Sequence, residues 1–256
     1  MSLEARNLTL GYGGQAIIRD LSLRLPSATV TAIIGPNGCG KSTLLRGLGR
    51  LVPAETGQVL LDGTDTATLR NNAIARRLTL LPQSPIAPEG IRVGELVGRG
   101  RTPWLRPFRP PGQTDRDAVQ RAMQAATVSE LREARVSDLS GGQRQRVWIA
   151  MALAQDTDWL LLDEPTTFLD LRHQLDLLKL LRRLNRDHGR SIVMVLHDIS
   201  LAARFADHLI AMRQGEVIAQ GRPAQVITPA VLERVFGLHT SVIADPLHGS
   251  PLVLPM

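Results

Sequence analysis

The 256-residue chain contains a single cysteine, Cys39. That excludes an internal disulfide framework and any zinc or iron–sulfur site built from several thiolates. Aromatic residues are scarce, at 3%, so the core must be filled by Leu, Val, Ile and Ala. No apolar run approaches the roughly 18–20 residues that a spanning helix needs. The first residues also lack the charged-then-apolar layout of a secretory signal. The expectation is a cytosolic chain whose membrane role, if it has one, comes through a partner. Lysine is nearly missing: of 30 basic residues only Lys41 and Lys179 are lysines, and with 24 acidic residues the formal net charge is +6. A basic surface can serve nucleic acid, anionic lipid or anionic ligands. Here, however, the arginines are scattered along the sequence, and no aromatic–basic cluster marks a single-strand platform.

What is present is ordinary for a globular protein: 43% apolar and 21% charged residues, in a length that suits one to two domains. Leu3 to Gly11 alternates like a half-buried strand, and Leu21 to Leu25 repeats the pattern. Thr29 to Ile34 is a compact apolar run, the mark of a strand buried on both faces. A helix follows from about Ser42 to Leu51. Further strands are expected at Gln58–Leu61, Leu78–Leu81, Trp159–Leu162, Ser191–Leu196, Leu209–Met212 and Val217–Ala219, with a helix over Arg172–Asp187. Between about Gly90 and Leu153 strand signals vanish and helical pattern dominates, interrupted by an Arg/Pro-rich loop, Arg99 to Gly112. The tail, Asp245 to Met256, reads as packed irregular chain. The pattern predicts an α/β core of parallel strands and crossover helices with a helical segment inserted near the middle.

Three motifs carry chemistry. Gly35-Pro36-Asn37-Gly38-Cys39-Gly40-Lys41-Ser42 fits G-x-x-x-x-G-K-[ST], between a buried strand and a helix. Its glycines let backbone N–H groups wrap phosphate oxygens, and the helix start adds a positive end. Lys41 supplies a point charge for β- and γ-phosphates, and Ser42 a hydroxyl for Mg²⁺. Thr43 follows in the same turn. The apolar strand Trp159–Leu162 ends in Asp163 and Glu164. Sites of open α/β sheets lie at carboxyl strand ends: Asp163 is a candidate Mg²⁺ carboxylate, and Glu164, one residue on and so pointing differently, a candidate to polarise an attacking water. Third, Ser140-Gly141-Gly142-Gln143 after Leu139 offers a helix cap and exposed N–H groups, a second anion-binding turn.

As a set, these motifs resemble those of the ATP-binding subunits of ABC transporters, and the resemblance runs essentially end to end. It implies a phosphate-loop, RecA-like core with an antiparallel β portion and an inserted helical subdomain. Residues 1–256 would form a single ATP-binding domain, with 1–88 and 154–256 as core and 89–153 as the helical part. It further implies that two copies pair head to tail, each ATP lying between the phosphate loop of one chain and the LSGGQ turn of the other. Tyr12 would then stack on adenine and Gln83 would sense Mg²⁺ and link to the transmembrane partner. Asp170 would cross the dimer interface, and His197 would contact γ-phosphate. The segments Gly98–Pro103, Leu139–Ala152, Leu161–Leu178 and Asp245-Pro246…Pro251-Leu252-Val253 are similar to those of iron(III)-chelate importers of the ferric-enterobactin type. The D-loop reads Thr167-Phe168-Leu169-Asp170, and its Phe168 agrees with that subgroup. The resemblance thus implies an ATPase using ATP and Mg²⁺ at the cytoplasmic face of a membrane. Its partners would be a second copy, permease subunits and, indirectly, a substrate-binding protein, with no direct nucleic acid. Import of haem, cobalamin or another chelate, a soluble ABC ATPase acting on nucleic acid, and a small phosphate-loop kinase remain the competing readings.

Overall fold

The computed structural model describes residues 2–106, 109–167 and 169–256. Pro107 and Phe108 of the Arg/Pro-rich stretch, and the D-loop Phe168, lie outside them. Among the described residues the strands form two main sheets and a hairpin. β1 (Leu3–Tyr12), β2 (Gln15–Leu25), β3 (Val30–Ile34), β4 (Thr56–Leu61), β5 (Thr64–Asp65) and β6 (Leu78–Leu81) come first along the chain, with the helices α1 (Lys41–Leu48) and α2 (Asn71–Ala75) among them. The helices α3 (Val93–Gly98), α4 (Gln113–Ala125) and α5 (Gly141–Ala154) follow, and then β7 (Trp159–Leu162), α6 (Leu171–His188), β8 (Ser191–Val195) and α7 (Ile199–Phe205). The chain closes with β9 (His208–Arg213), β10 (Glu216–Gly221), α8 (Pro223–Val226), α9 (Pro229–Phe236), β11 (Thr240–Ala244) and β12 (Pro251–Pro255).

The central sheet has the order β10-β9-β3-β8-β7-β6. All its pairings are parallel except the edge strand β10, which runs antiparallel to β9. An antiparallel sheet, β2-β1-β4-β5, packs over one face. Because side chains alternate along a strand, each central strand feeds two cores. Ile33, Leu161 and Val193 join the antiparallel sheet and α1 on one side. Ala32, Leu160, Leu162, Ile192 and Met194 join α5, α6 and α7 on the other. That is why β3, β7 and β8 are apolar at nearly every position: neither face meets water. Between β6 and β7 the chain is helical, α5 packing on α3 and α4. The structure is an RecA-like core with an antiparallel β portion and a helical insert, the fold class expected.

Several elements depart from expectation. The tail is not irregular: Pro251–Pro255 pairs antiparallel with Thr240–Ala244. Asp245 turns the chain by accepting from the backbone N–H groups of Leu247 and His248, and the ladder satisfies backbone groups that an irregular packed chain would leave unpaired. The two prolines sit at the ends of this edge strand, where a missing N–H is tolerated. The Arg99–Gly112 stretch is not a loop throughout, since Arg99–Trp104 forms a 3-10 helix. Buried Arg101 anchors it, donating to Asp115 Oδ1 at 3.0 Å and to the Ala154 carbonyl at 3.0 Å. The second strand starts at Gln15 rather than Leu21, continuing from the Gly13-Gly14 turn.

Leu161 is fully buried in the inter-sheet core. Leu161→Ala should lower unfolding free energy by about 2–5 kcal/mol through lost transfer energy and a residual cavity. The expected observation is a lower urea midpoint with an unchanged slope.

Candidate functional site

The carboxyl ends of β3, β6, β7 and β8 open onto one cleft of about 400 Å³, lined by Asn37, Gly38, Gly40, Lys41, Ser42 and Thr43 of the glycine-rich turn. Gln83, Glu164, His197 and Ile17 complete it. Each polar group arrives because an apolar strand ends just before it: Ile34 before Gly35, Leu81 two residues before Gln83, Leu162 before Asp163, and Val195 two residues before His197.

The turn after β3 depends on Gly35, whose φ of +153° disfavours any side chain and whose missing Cβ would sit 2.2 Å from the Met212 carbonyl oxygen. Gly40 holds φ 101° and caps α1. Lys41 is buried and donates from Nζ to the carbonyls of Gly35 and Pro36, each at 2.8 Å. An ammonium has three donors, so these contacts aim it across the turn and leave one donor uncommitted. Cys39 is buried beneath the turn and unpaired with another thiol. Burial pushes its thiol pKa up, the nearby Lys41 ammonium opposing this more weakly. Such a thiol is a small packing residue, not a reactive thiolate.

Asp163 and Glu164 diverge. The buried Asp163 carboxylate accepts from Ser42 Oγ at 2.6 Å and from Arg46 at 3.2 Å. Glu164 has a left-handed backbone, φ 51°, a conformation costing about 1–2 kcal/mol for a residue with a side chain. It swings the carboxylate to a different set of neighbours. Glu164 Oε2 accepts from Gln83 Nε2 at 2.6 Å and from Thr167 Oγ1 at 3.1 Å. His197 Nε2 lies 2.8 Å from Glu164 Oε1. One carboxylate is therefore tied to the phosphate loop and the other to the cleft wall.

Other candidates lie elsewhere. Tyr12 ends β1 with 48% of its surface exposed and does not line the cleft. Ser140 caps α5, accepting from the Gln143 backbone N–H at 3.3 Å while Gln143 Oε1 accepts from the Ser140 N–H at 3.0 Å. Ser140, Gly141 and Gln143 are exposed, Gly142 is half-buried, and none lines the cleft. Asp170 caps α6 through the His173 N–H at 2.9 Å. That backbone hydrogen bond, helped by the His173 and Arg172 side chains, holds its carboxyl pKa below the usual range. Gln145 of α5, two residues after the LSGGQ (signature) turn, donates to the carbonyl of Pro165, which follows Glu164, at 3.0 Å. Arg46 and Ile17 are not singled out by the sequence, and Thr167 is read there only as part of the D-loop. Only Arg46 carries a signal, standing four residues after Ser42 on the same helix face.

No group of three or more His, Cys, Asp or Glu side chains among the described residues is placed to hold a metal ion. The donor set instead suits Mg²⁺ held by one hydroxyl and one carboxylate, Ser42 and Asp163, with further ligands from phosphate oxygens and water.

Known proteins are similar to this chain along its whole length. A family model described as ABC transporter matches residues 18–167. The ferric enterobactin transport ATP-binding protein FepC of Escherichia coli (strain K12) is 49% identical over 254 residues, covering 99% of this chain and 94% of the relative. The achromobactin transport ATP-binding protein CbrD of Dickeya dadantii (strain 3937) is 48% identical over 254 residues, covering 99% and 94%. A solved metal-chelate type ABC transporter in an inward-facing conformation superposes with a TM-score of 0.85 at 25% identity, covering 100% of this chain and 97% of that one.

The raised pKa and burial of Cys39 set its reactivity. A thiol-specific chromogenic reagent at pH 8 should label the native chain at least about tenfold more slowly than the urea-unfolded chain, because the thiolate is the attacking form. Equal rates would show an accessible thiolate.

Proposed function

The chain belongs to the ABC transporter family of ATP-binding subunits, and on that premise we propose that it hydrolyses ATP to energise import of an iron(III)-siderophore complex through a membrane permease. The observation carrying the ATPase mechanism is the Glu164 carboxylate, suspended between Gln83 and His197 on the wall of the phosphate-loop cleft. The siderophore cargo rests on 48–49% identity, over 99% of the chain, to relatives named for ferric enterobactin and achromobactin transport.

The phosphate-loop N–H groups and Lys41 would bind the β- and γ-phosphates. Ser42 and Asp163 would hold Mg²⁺, which when bound neutralises phosphate charge. Gln83, reaching from the end of β6, would report its presence. Glu164 would orient a water and accept its proton as the water attacks the γ-phosphorus in line. His197 would support the developing charge. Tyr12 would stack on the adenine once the nucleotide is seated.

The exposed Ser140–Gln143 turn would reach the γ-phosphate of a second, head-to-tail copy, with Asp170 at the same interface. An ATP-bound pair is then favoured over an ADP-bound pair by contacts that only the terminal phosphate makes. That difference in affinity is what links nucleotide to motion. Where the core, residues 1–88, meets a helical subdomain of residues 89–153, a groove of about 510 Å³ begins just after Gln83, between Pro85–Gly90 and Arg135, Arg144 and Trp148. Ile86, 92% exposed, stands at its rim, where a cytoplasmic permease helix would dock. No helix among the described residues is long and apolar enough to cross a membrane, which fits a subunit working at the cytoplasmic face through that contact. A substrate-binding protein would take part only through the permease.

Glu164→Gln should retain ATP binding and cut turnover by roughly 100-fold or more, accumulating as an ATP-bound dimer on size-exclusion chromatography. Turnover at the parental rate would remove Glu164 from the mechanism. In a strain lacking the gene, uptake of radiolabelled iron–siderophore should be lost and be restored by the plasmid-borne chain, with haem and cobalamin uptake unchanged. Loss of haem or cobalamin uptake instead would reassign the cargo.

A further inference from the structure

A second cavity, of about 750 Å³, shares no lining residue with the nucleotide cleft. It lies between α5, α6, α7 and the end of α4. Its floor is apolar, formed by Ile149, Leu177, Leu180 and Phe205. Its rim is cationic: Arg146 from α5, Lys179, Arg182, Arg183 and Arg186 from α6, and Arg204 from α7. Asp176 is the one carboxylate among the lining residues.

The charges scattered in the sequence are thus gathered by the fold. Lys179, Arg182, Arg183 and Arg186 follow i, i+3, i+4, i+7 spacing, which places them on one face of α6. Arg146 and Arg204 converge on that face from neighbouring helices. Two of the six cations have local employment: Arg182 pairs with Asp207 at 2.7 Å, and Arg204 stands 5.2 Å from the centre of the Phe205 ring. Arg146, Lys179, Arg183 and Arg186 have no hydrogen-bond or ion-pair partner among the described residues. The helix dipole accounts only for Arg186, in the last turn. The like charges at i, i+4, Lys179–Arg183 and Arg182–Arg186, oppose the helix. Solvated surface arginines need neither convergence from three helices nor a shared apolar floor.

We infer that this cavity is a second ligand site, for a soluble small molecule carrying two or more phosphate groups. Guanidinium groups match phosphate oxygens with paired N–H donors. The floor accepts a planar or apolar portion of the ligand, as pockets of this volume do. Asp176 at the edge can accept a hydrogen bond from a ligand hydroxyl or amine.

The test is calorimetric titration with inorganic pyrophosphate in magnesium-free, low-salt buffer. The Lys41→Ala chain, with its phosphate loop weakened, should still bind pyrophosphate. Adding Arg183→Glu and Arg186→Glu should weaken that binding about tenfold or more, since four unit charges are exchanged near the ligand. Both substituted positions are exposed, so the melting temperature should hold or rise as the like-charge repulsion is relieved. In the otherwise unsubstituted chain the same pair should leave basal ATP hydrolysis unchanged. Complete loss of pyrophosphate binding in Lys41→Ala, or indifference to the charge reversals, would overturn the proposal. So would charge-dependent sedimentation with phosphatidylglycerol vesicles in the absence of pyrophosphate binding, which would make the cavity a membrane contact.

Discussion

A parallel sheet covered on both faces leaves its strands no place for charged side chains except at their ends. In this protein that constraint organises everything else. β3, β7 and β8 are buried at every residue, so the chain can turn to chemistry only where the strands stop. Because the strands run parallel in register, they stop together. Asn37, Gln83, Glu164 and His197 are separated by up to 160 positions in sequence and yet share one cleft. Their proximity is a consequence of burial and strand direction, and no direct attraction among them is needed to explain it.

Within the cleft, adjacent acidic residues are kept apart in role by backbone conformation. Asp163 continues the strand and meets Ser42 and Arg46. Glu164 turns into the left-handed region and meets Gln83, Thr167 and His197. The modest conformational cost of that turn is offset by three polar contacts to one carboxylate. It separates a carboxylate held against the phosphate loop from one held against the cleft wall. Two like charges pointing the same way would instead perturb each other's ionisation.

The signature turn occupies the opposite situation. Ser140–Gln143 has its own cap satisfied and lines no part of the cleft. Ser140, Gly141 and Gln143 are presented to solvent. The phosphate-loop cleft and this capped turn therefore stand apart within one chain.

Much of this was legible in the residues themselves. The two-faced strands announced themselves as unbroken apolar runs, and the phosphate loop by glycines placed where only glycine fits. The acidic pair showed as carboxylates at the end of such a run. These are local signals, set by periodicity and by backbone conformations that few residues adopt. The tail hairpin was not legible, because Pro251 and Pro255 disguise a strand whose partner supplies the missing order. Nor was the helical turn at Arg99–Trp104, which depends on Arg101 finding Asp115 and Ala154 across the fold. The sequence by itself determined which residues could bind phosphate and which stretches must be buried. Only the tertiary structure decided which carboxylate faces which neighbour, that the cleft and the signature turn stand apart, and that scattered arginines converge on one cavity. Those outcomes depend on how helices and strands distant in the chain are packed, and packing is a property of the whole.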